Sequence, residues 1–189
     1  MCRRRILKTK NKDIAKICKR NKVIAVVTDT DGTQWVGDGV ALYPLLKMPE
    51  LDEEGFYALF DINDIQSAGY SFKRTNLPDG TSLEDAISEE NELKRIPLKI
   101  CCESRELEPI ITSQGLCFID EDHIKPVCNE SYMKIFERYN AKGELYFAVK
   151  NGLMLVAIIA PYKLNDSSAG IIKLLARQLE LAELNKREE

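Results

Sequence analysis

An α+β fold, mainly antiparallel and with helices on one face of its sheets, is what the residue pattern of this chain points to, on three observations. Turn signals of the kind that close β-hairpins recur at Asp31-Gly32, Asp38-Gly39, Gln114-Gly115 and Asn151-Gly152. Continuous β-branched and apolar runs such as Val23-Ile24-Ala25-Val26-Val27 lie beside them, as buried strands do. Helical periodicity is confined to a few stretches and does not alternate with every strand, which argues against a parallel α/β sheet.

Taken in order, residues 13–20 read as a short helix with Ile14, Ile17 and Cys18 on one side and Lys12, Lys16, Lys19 and Arg20 on the other. Strands follow at 23–27, 34–36 and 40–43, separated by the two Asp-Gly turns, and Pro44 ends the third. Residues 52–60 read as a helix with Phe56, Leu59 and Phe60 as its apolar stripe. Residues 63–92 change character: Asn76-Leu77-Pro78-Asp79-Gly80 is a turn cluster, and 84–92 is acidic and poor in core residues. That composition predicts a linker or long surface loop, with a short acidic helix over 83–93 as its one regular element. Beyond it, 98–102 reads as a strand, and 109–112 with 116–119 as a hairpin about Gln114-Gly115. Ser131 is placed as the cap of a helix through Tyr139, with Met133, Phe136 and Tyr139 on one face. The clearest hairpin joins 145–149 to 153–160 through Asn151-Gly152. A terminal helix over 168–187 carries the stripe Ile172, Leu175, Leu179 and Ala182.

The same order of elements occurs twice: a short helix, strands broken by a Gly turn, then an apolar strand stopped by Pro. The chain is therefore divided into two related halves, 1–92 including the acidic loop 63–92, and 93–189 including the terminal helix.

With 189 residues, 44% hydrophobic and 30% charged, the composition excludes a collagen, a disulfide-dense miniprotein and a wholly disordered chain. The net charge of −3 excludes a uniformly basic nucleic-acid binder while leaving room for a basic face. Six cysteines (Cys2, Cys18, Cys101, Cys102, Cys117 and Cys128) form no Cys-x-x-Cys pair, and the single His123 cannot complete a Cys2His2 zinc site. They read as buried free thiols in a reducing compartment. His123, in the acidic run Asp120-Glu121-Asp122-His123, reads as a surface histidine, and Trp35 as a core or sheet-face anchor. Arg3-Arg4-Arg5 lacks the apolar core of a signal peptide behind it, and the run 153–161 is too short to span a bilayer. A cytoplasmic protein with no membrane partner and no cofactor is expected.

Three constellations bear on chemistry. Val26-Val27-Thr28-Asp29-Thr30-Asp31-Gly32-Thr33 resembles the first motif of haloacid-dehalogenase-like phosphatases. The resemblance implies Asp29 as nucleophile and Asp31 as general acid/base about a magnesium ion, with Asp120, Asp122 and Lys94 or Lys99 as the later acidic pair and lysine. The same string is also an ordinary hairpin turn. An EF-hand is excluded by Gly32, which comes too early, and by Val40 where a bidentate Glu belongs.

The second constellation is basic. Lys12, Lys16, Lys19 and Arg20, then Lys134 and Arg138, then Lys173 and Arg177, recur at helical spacing opposite apolar residues. Such faces can track a phosphate backbone without reading bases. The third is a resemblance. Trp35-Val36-Gly37-Asp38-Gly39-Val40-Ala41-Leu42 looks like the strand–Asp-Gly–apolar segment of DNA sliding clamps. Residues 154–164, from Met154 to the Pro161-Tyr162-Lys163-Leu164 ending, are similar to the segment near the clamp C-terminus. This clamp-like resemblance implies a repeated α+β unit, closure around duplex DNA by homo-oligomerisation, and an apolar surface pocket for partners.

The expectation is thus a non-enzymatic, clamp-like DNA-associated or protein-interaction module, in the manner of a replication accessory factor. It would contact duplex DNA through Lys12, Lys16, Lys19, Arg20, Lys134 and Arg138, with no catalytic or metal-ligating residue. A magnesium phosphatase using Asp29 and Asp31, and a small oligomeric scaffold joined through the last helix, are the alternatives.

Overall fold

The computed structural model describes residues 3–164 apart from 89, 97, 103 and 129–131, together with residue 170. The chain opens on α1 (Arg3–Asn21), whose Ile14, Ile17 and Cys18 are buried. It starts well before residue 13 because no Gly or Pro interrupts the first turns and Arg, Lys and Leu are good helix formers. Lys22, at φ 52, turns the chain out of the helix in the left-handed conformation common at helix ends.

β1 (Val23–Thr28) runs antiparallel to β2 (Gln34–Gly37), and β2 antiparallel to β3 (Ala41–Pro44). The two turns are those marked by Asp31-Gly32 and Asp38-Gly39, with both glycines at positive φ. α2 (Glu53–Leu59) follows, with the Asp52 side chain accepting from the Gly55 amide, and then α3 (Asp64–Ser67) behind an Asn63/Gln66 capping box.

Residues 63–92 are not a linker. They contain α3, β4 (Ser71–Arg74), which pairs parallel to β1, and β5 (Asn91–Leu93), which pairs antiparallel to β9 (Met133–Tyr139). No helix forms over 83–93 among the described residues. Residues 133–139 of the proposed helix likewise form a strand. Met133, Phe136 and Tyr139 mimic a helical stripe, but β9 alternates Met133, Ile135 and Glu137 to one face with Lys134, Phe136 and Arg138 to the other, and both faces are covered.

β9 pairs with β10 (Leu145–Asn151), and β10 with β11 (Met154–Ile159) through the Asn151-Gly152 turn. β11 pairs with β3, joining Ile158 to Leu42 and Ile159 to Ala41. One eight-stranded sheet results, in the order β4-β1-β2-β3-β11-β10-β9-β5. Strands from before and after residue 92 thus share a single sheet, and residue 92 itself lies inside β5.

A second antiparallel sheet, β6-β7-β8, is built from β6 (Ile100–Cys102), β7 (Arg105–Thr112) and β8 (Gly115–Asp120), with α4 (Glu121–Ile124) behind it. The first face of the large sheet packs Val26, Val36, Tyr43, Phe147 and Val149 against Ile14 and Ile17 of α1, Phe56 of α2, Ile110 and Ile119 of the small sheet, and Ile124 of α4. The second face packs Ala25, Val27, Trp35, Leu42, Tyr146, Ala148 and Ile158, and is touched by Leu77 and Leu83. The fold is α+β and mainly antiparallel, with α1, α2 and α4 on the first face.

The segment between β4 and β5 covers that second face. Its ends sit on opposite edges of the eight-stranded sheet, so it crosses all the strands. At ~4.8 Å per strand this is about 34 Å, within reach of an extended segment of this length. We refer to residues 75–88 as the strap. It is pinned by Thr75 donating to the Val26 carbonyl, by Ala141 donating to the Asp79 carbonyl, by Ser82 donating to the Tyr146 hydroxyl, and by Leu155 donating to the Asp85 carboxylate.

The described cysteines form no disulfide: Cys18 and Cys102 are buried, Cys117 is half-buried, and Cys101 and Cys128 are exposed. The reading of all six as buried thiols fails at those last two. Cys101 and Cys102 alternate across β6, the first outward and the second into the core of the small sheet. No helix among the described residues is long and apolar enough to cross a membrane. The terminal helix 168–187 apart from residue 170, with Lys173 and Arg177, and Ser131 lie outside the described residues.

Candidate functional site

The predicted contact residues separate into two groups on opposite faces of the sheet. Lys12, Lys16, Lys19 and Arg20 belong to α1, on the first face. Lys12 and Lys16 are exposed, and Lys16 makes a surface pair with Asp13 at 3.2 Å. Such a pair is worth little and leaves the ammonium available. Lys19 donates to the Asp61 carbonyl at 3.1 Å. Arg20 bridges Asp122 and Asp120, the latter at 3.1 Å, and Asp120 is also held by Arg105 at 2.5 Å. Arg20 therefore ties α1 to α4.

Lys134 and Arg138 lie on the second face, on a strand and not on a helix. Lys134 pairs with Glu92 at 2.7 Å. Arg138 is 1% exposed. Its Nε and Nη2 donate to the Glu90 carboxylate at 2.8 and 2.6 Å, and Nη1 donates to the Glu84 carbonyl at 2.9 Å. Longer bonds reach the carbonyls of Ser82 and Asp85. Lys150, lying 4.5 Å over the Phe136 ring, also pairs with Glu90. Arg138 is a latch for the strap, buried away from any external phosphate.

Asp29 and Asp31 sit in the turn of the β1–β2 hairpin. The Asp29 amide donates to the Thr33 carbonyl at 2.9 Å, and Asp29 Oδ1 accepts from the Thr30 amide at 2.7 Å. Asp31 accepts from the Thr33 amide at 2.8 Å and from its hydroxyl at 3.1 Å, and those bonds hold its carboxyl below the usual range. The strand that follows is antiparallel. Of the other parts implied by the phosphatase resemblance, Asp120 and Asp122 are engaged with arginine and lysine partners and Lys99 with Glu121 at 2.5 Å, while Lys94 is exposed. Among the described residues no group of three or more His, Cys, Asp or Glu side chains is placed to hold a metal ion.

His123 is not at the surface. It is 2% exposed, with Nε2 at 2.9 Å from the Asp38 carboxylate. Asp38 also accepts from Asn21 and from the amides of Val40 and Ala41, both at 3.0 Å, and the Tyr43 hydroxyl donates to the His123 carbonyl at 2.6 Å. Burial pushes the Asp38 carboxyl up, but the His123 bond and charge and the two amides outweigh it and bring the group down to about 2. Burial, with Asp38 nearby, pushes the Cys18 thiol well up and leaves it an inert core group. Cys18, Asp38 and His123 thus stand close together without any nucleophile open to a substrate.

The sign of the pH effect follows. A carboxyl held at about 2 in the fold, against 3.8 ordinarily, stabilises the protein above the ordinary carboxylate range. That contribution, about 2 kcal/mol, is lost as pH falls from roughly 5 towards 2. Urea melts at pH 7, 5 and 2.5 should show a fall in stability that is about 2 kcal/mol smaller in Asp38→Asn. An equal fall in both proteins would remove Asp38 as a contributor.

One groove of about 390 Å³ opens where the strap, the β7–β8 turn, the β9–β10 turn and the ends of β3 and β11 meet. Leu77 and Pro78 of the strap, Leu42 of β3 and Ile158 of β11 form its apolar wall; Thr81, Gln114 and Lys163 stand among its lining residues. The residue pattern gave no notice of it beyond Leu77-Pro78, an apolar pair inside an otherwise polar turn cluster.

Comparison of the chain with family models, with curated proteins and with solved structures finds no match.

Proposed function

We propose that this protein is a non-enzymatic module that associates with duplex DNA through the phosphate backbone, using α1. The observation that carries the reading is the composition of that helix. Its 19 residues, RRRILKTKNKDIAKICKRN, hold nine Lys or Arg and a single acid, Asp13. The rest of a chain of net charge −3 is therefore markedly acidic. In its described half Lys12, Lys16 and Arg20 recur every four residues, a ridge about 12 Å long at 1.5 Å per residue.

Like charges at that spacing repel, and three arginines at a helix N-terminus oppose its dipole. A polyanion relieves both. α1 contains no aromatic residue on which an unpaired base would stack, which favours backbone contact with a duplex over single-strand binding. Arg20 is already satisfied by Asp120 and Asp122, so Lys12 and Lys16 are the contact residues of choice.

A clamp-like accessory factor is the specific form of this reading. The two segments that resemble sliding clamps, 35–42 and 154–164, are neighbours in the fold, with Leu42 against Ile158 in the β3–β11 pairing. That adjacency is in keeping with one structural unit and supports the reading, which also calls for homo-oligomers on DNA.

The test is fluorescence anisotropy with labelled duplexes of two unrelated sequences between 50 and 200 mM salt, with light scattering on the complex. Equal affinity for both sequences is expected, with log K falling against log salt by about 0.9 for each phosphate contacted. Lys12→Gln/Lys16→Gln should reduce that slope by nearly 2. Absence of binding at 50 mM salt, or a slope unchanged in the double variant, would overturn the proposal. A monomer on DNA would remove its clamp-like form.

A further inference from the structure

We infer that the groove beneath the strap is a binding site for a small amphipathic acid, an apolar body carrying one carboxylate or sulfonate. The inference does not depend on α1 or on DNA. Its first support is shape and size. A volume of about 390 Å³ lies in the range of small-molecule sites, and the groove lies at the junction of both sheets, where such sites form. It is too small for a folded partner segment such as a helix.

The second support is a donor-rich polar complement. Glu144 is the one carboxylate among the lining residues, and it already accepts from the Asn140 amide at 2.7 Å. The Asn140 oxygen in turn is taken by the amides of Lys142 and Glu144, both at 2.9 Å. The Asn140 side chain and Glu144 Oε2 thus engage each other, and Glu144 is exposed, where water solvates its other oxygen. Lys163, the Thr81 hydroxyl and the Gln114 side-chain amide also line the groove, and among the described residues none has a hydrogen-bond or ion-pair partner. Lys163 is exposed, so its ammonium can meet an acid group at the mouth while the apolar body lies against Leu42, Leu77 and Ile158. A charge-assisted bond of this kind sets orientation, and the apolar wall supplies area.

The groove also carries its own reporter. Cys117 lines it and is half-buried, whereas Cys101 and Cys128 are exposed elsewhere. Burial raises the Cys117 thiol, so alkylation there is slow and sensitive to occupancy.

The experiment uses the full chain. Anilinonaphthalene sulfonate, an aryl sulfonate whose emission rises in apolar sites, is titrated into the protein, then displaced by decanoate, decanol or decylamine. One saturable site is expected, from which decanoate displaces the probe about tenfold better than decanol or decylamine does. Lys163→Gln, at an exposed and unpaired position, should cost decanoate about tenfold and leave decanol unchanged. Decanoate should slow iodoacetamide alkylation of Cys117 and not that of Cys101 or Cys128, read by mass spectrometry of peptides. The proposal is overturned if decanoate and decylamine compete equally, if Lys163→Gln leaves the preference for decanoate intact, or if Cys117 is unprotected.

Discussion

Replacing Arg138 with methionine is expected to lower stability by about 3–5 kcal/mol and to release the strap. The guanidinium is 1% exposed and serves one carboxylate and three carbonyls, all from the segment between residues 82 and 90. Methionine fills much of the same volume, so the loss is electrostatic and not a cavity. Glu90 keeps Lys150 as a partner but loses both guanidinium bonds, and the carbonyls of Ser82 and Glu84 lose their donor under a covered face.

The strap holds few core residues of its own, Leu77 and Leu83 among them, so beside its four pinning hydrogen bonds the Arg138 cluster is its main anchor. Urea melts give the stability, and limited proteolysis should show new cleavage within residues 75–88 before the rest of the chain is cut. The triple variant Arg138→Met/Glu90→Gln/Lys150→Met, which leaves no charge stranded, should recover part of the loss. An unfolding free energy within about 0.5 kcal/mol of the wild type and no new cleavage would mean that Arg138 does not hold the strap.

Gly37→Ala is expected to be at least as damaging, above about 4 kcal/mol, and to abolish soluble expression. A Cβ at this position would lie 1.7 Å from the Ala41 carbonyl oxygen and 2.8 Å from its carbon. Both are backbone atoms of the facing strand β3, so no side chain can swing aside, and relief requires β2 and β3 to part at the centre of the large sheet. A glycine inside a strand commonly marks such a close approach. Gly32→Ala is the contrast. It too leaves a glycine position, at φ +85, but a Cβ there meets nothing within 4 Å. Only the backbone penalty of about 1 kcal/mol should appear. Soluble Gly37→Ala protein with a urea midpoint equal to that of Gly32→Ala would refute the close approach.

What the residue pattern made legible is local. The Asp31-Gly32 and Asn151-Gly152 hairpins form where the turn chemistry puts them, because two or three adjacent residues decide a tight turn. The residue pattern marks α1 only over 13–20, where apolar residues line up. Its first turns consist of basic helix formers without a periodic stripe or a cap, so nothing there marks a beginning.

The misreadings share a physical cause, which is partners remote in sequence. Met133, Phe136 and Tyr139 imitate a helix face, but neighbouring strands on both sides decide for β9. Arg138 and Lys134 look like solvent-facing cations until their acids, more than forty residues away, are brought across. The same holds for His123, placed in an acidic turn and buried by Asp38, 85 residues earlier. The groove is further still from legibility, since five separate segments assemble it.

The β3–β11 pairing, which seats Leu42 beside Ile158, has a consequence for the order in which the chain can fold during synthesis. β1–β3 and their helices can assemble early, but the platform on which the strap rests contains β9, β10 and β11. Beyond the Thr75 bond to Val26 and the β1–β3 part of the face, the strap and β5 therefore leave the ribosome with most of their platform missing, and wait for some sixty further residues, roughly 3–12 s at ~5–20 residues per second. The acidic, core-poor character of 84–92 suits that interval: a segment that must stand in solvent before it is captured stays hydrated and does not seek the wrong partner.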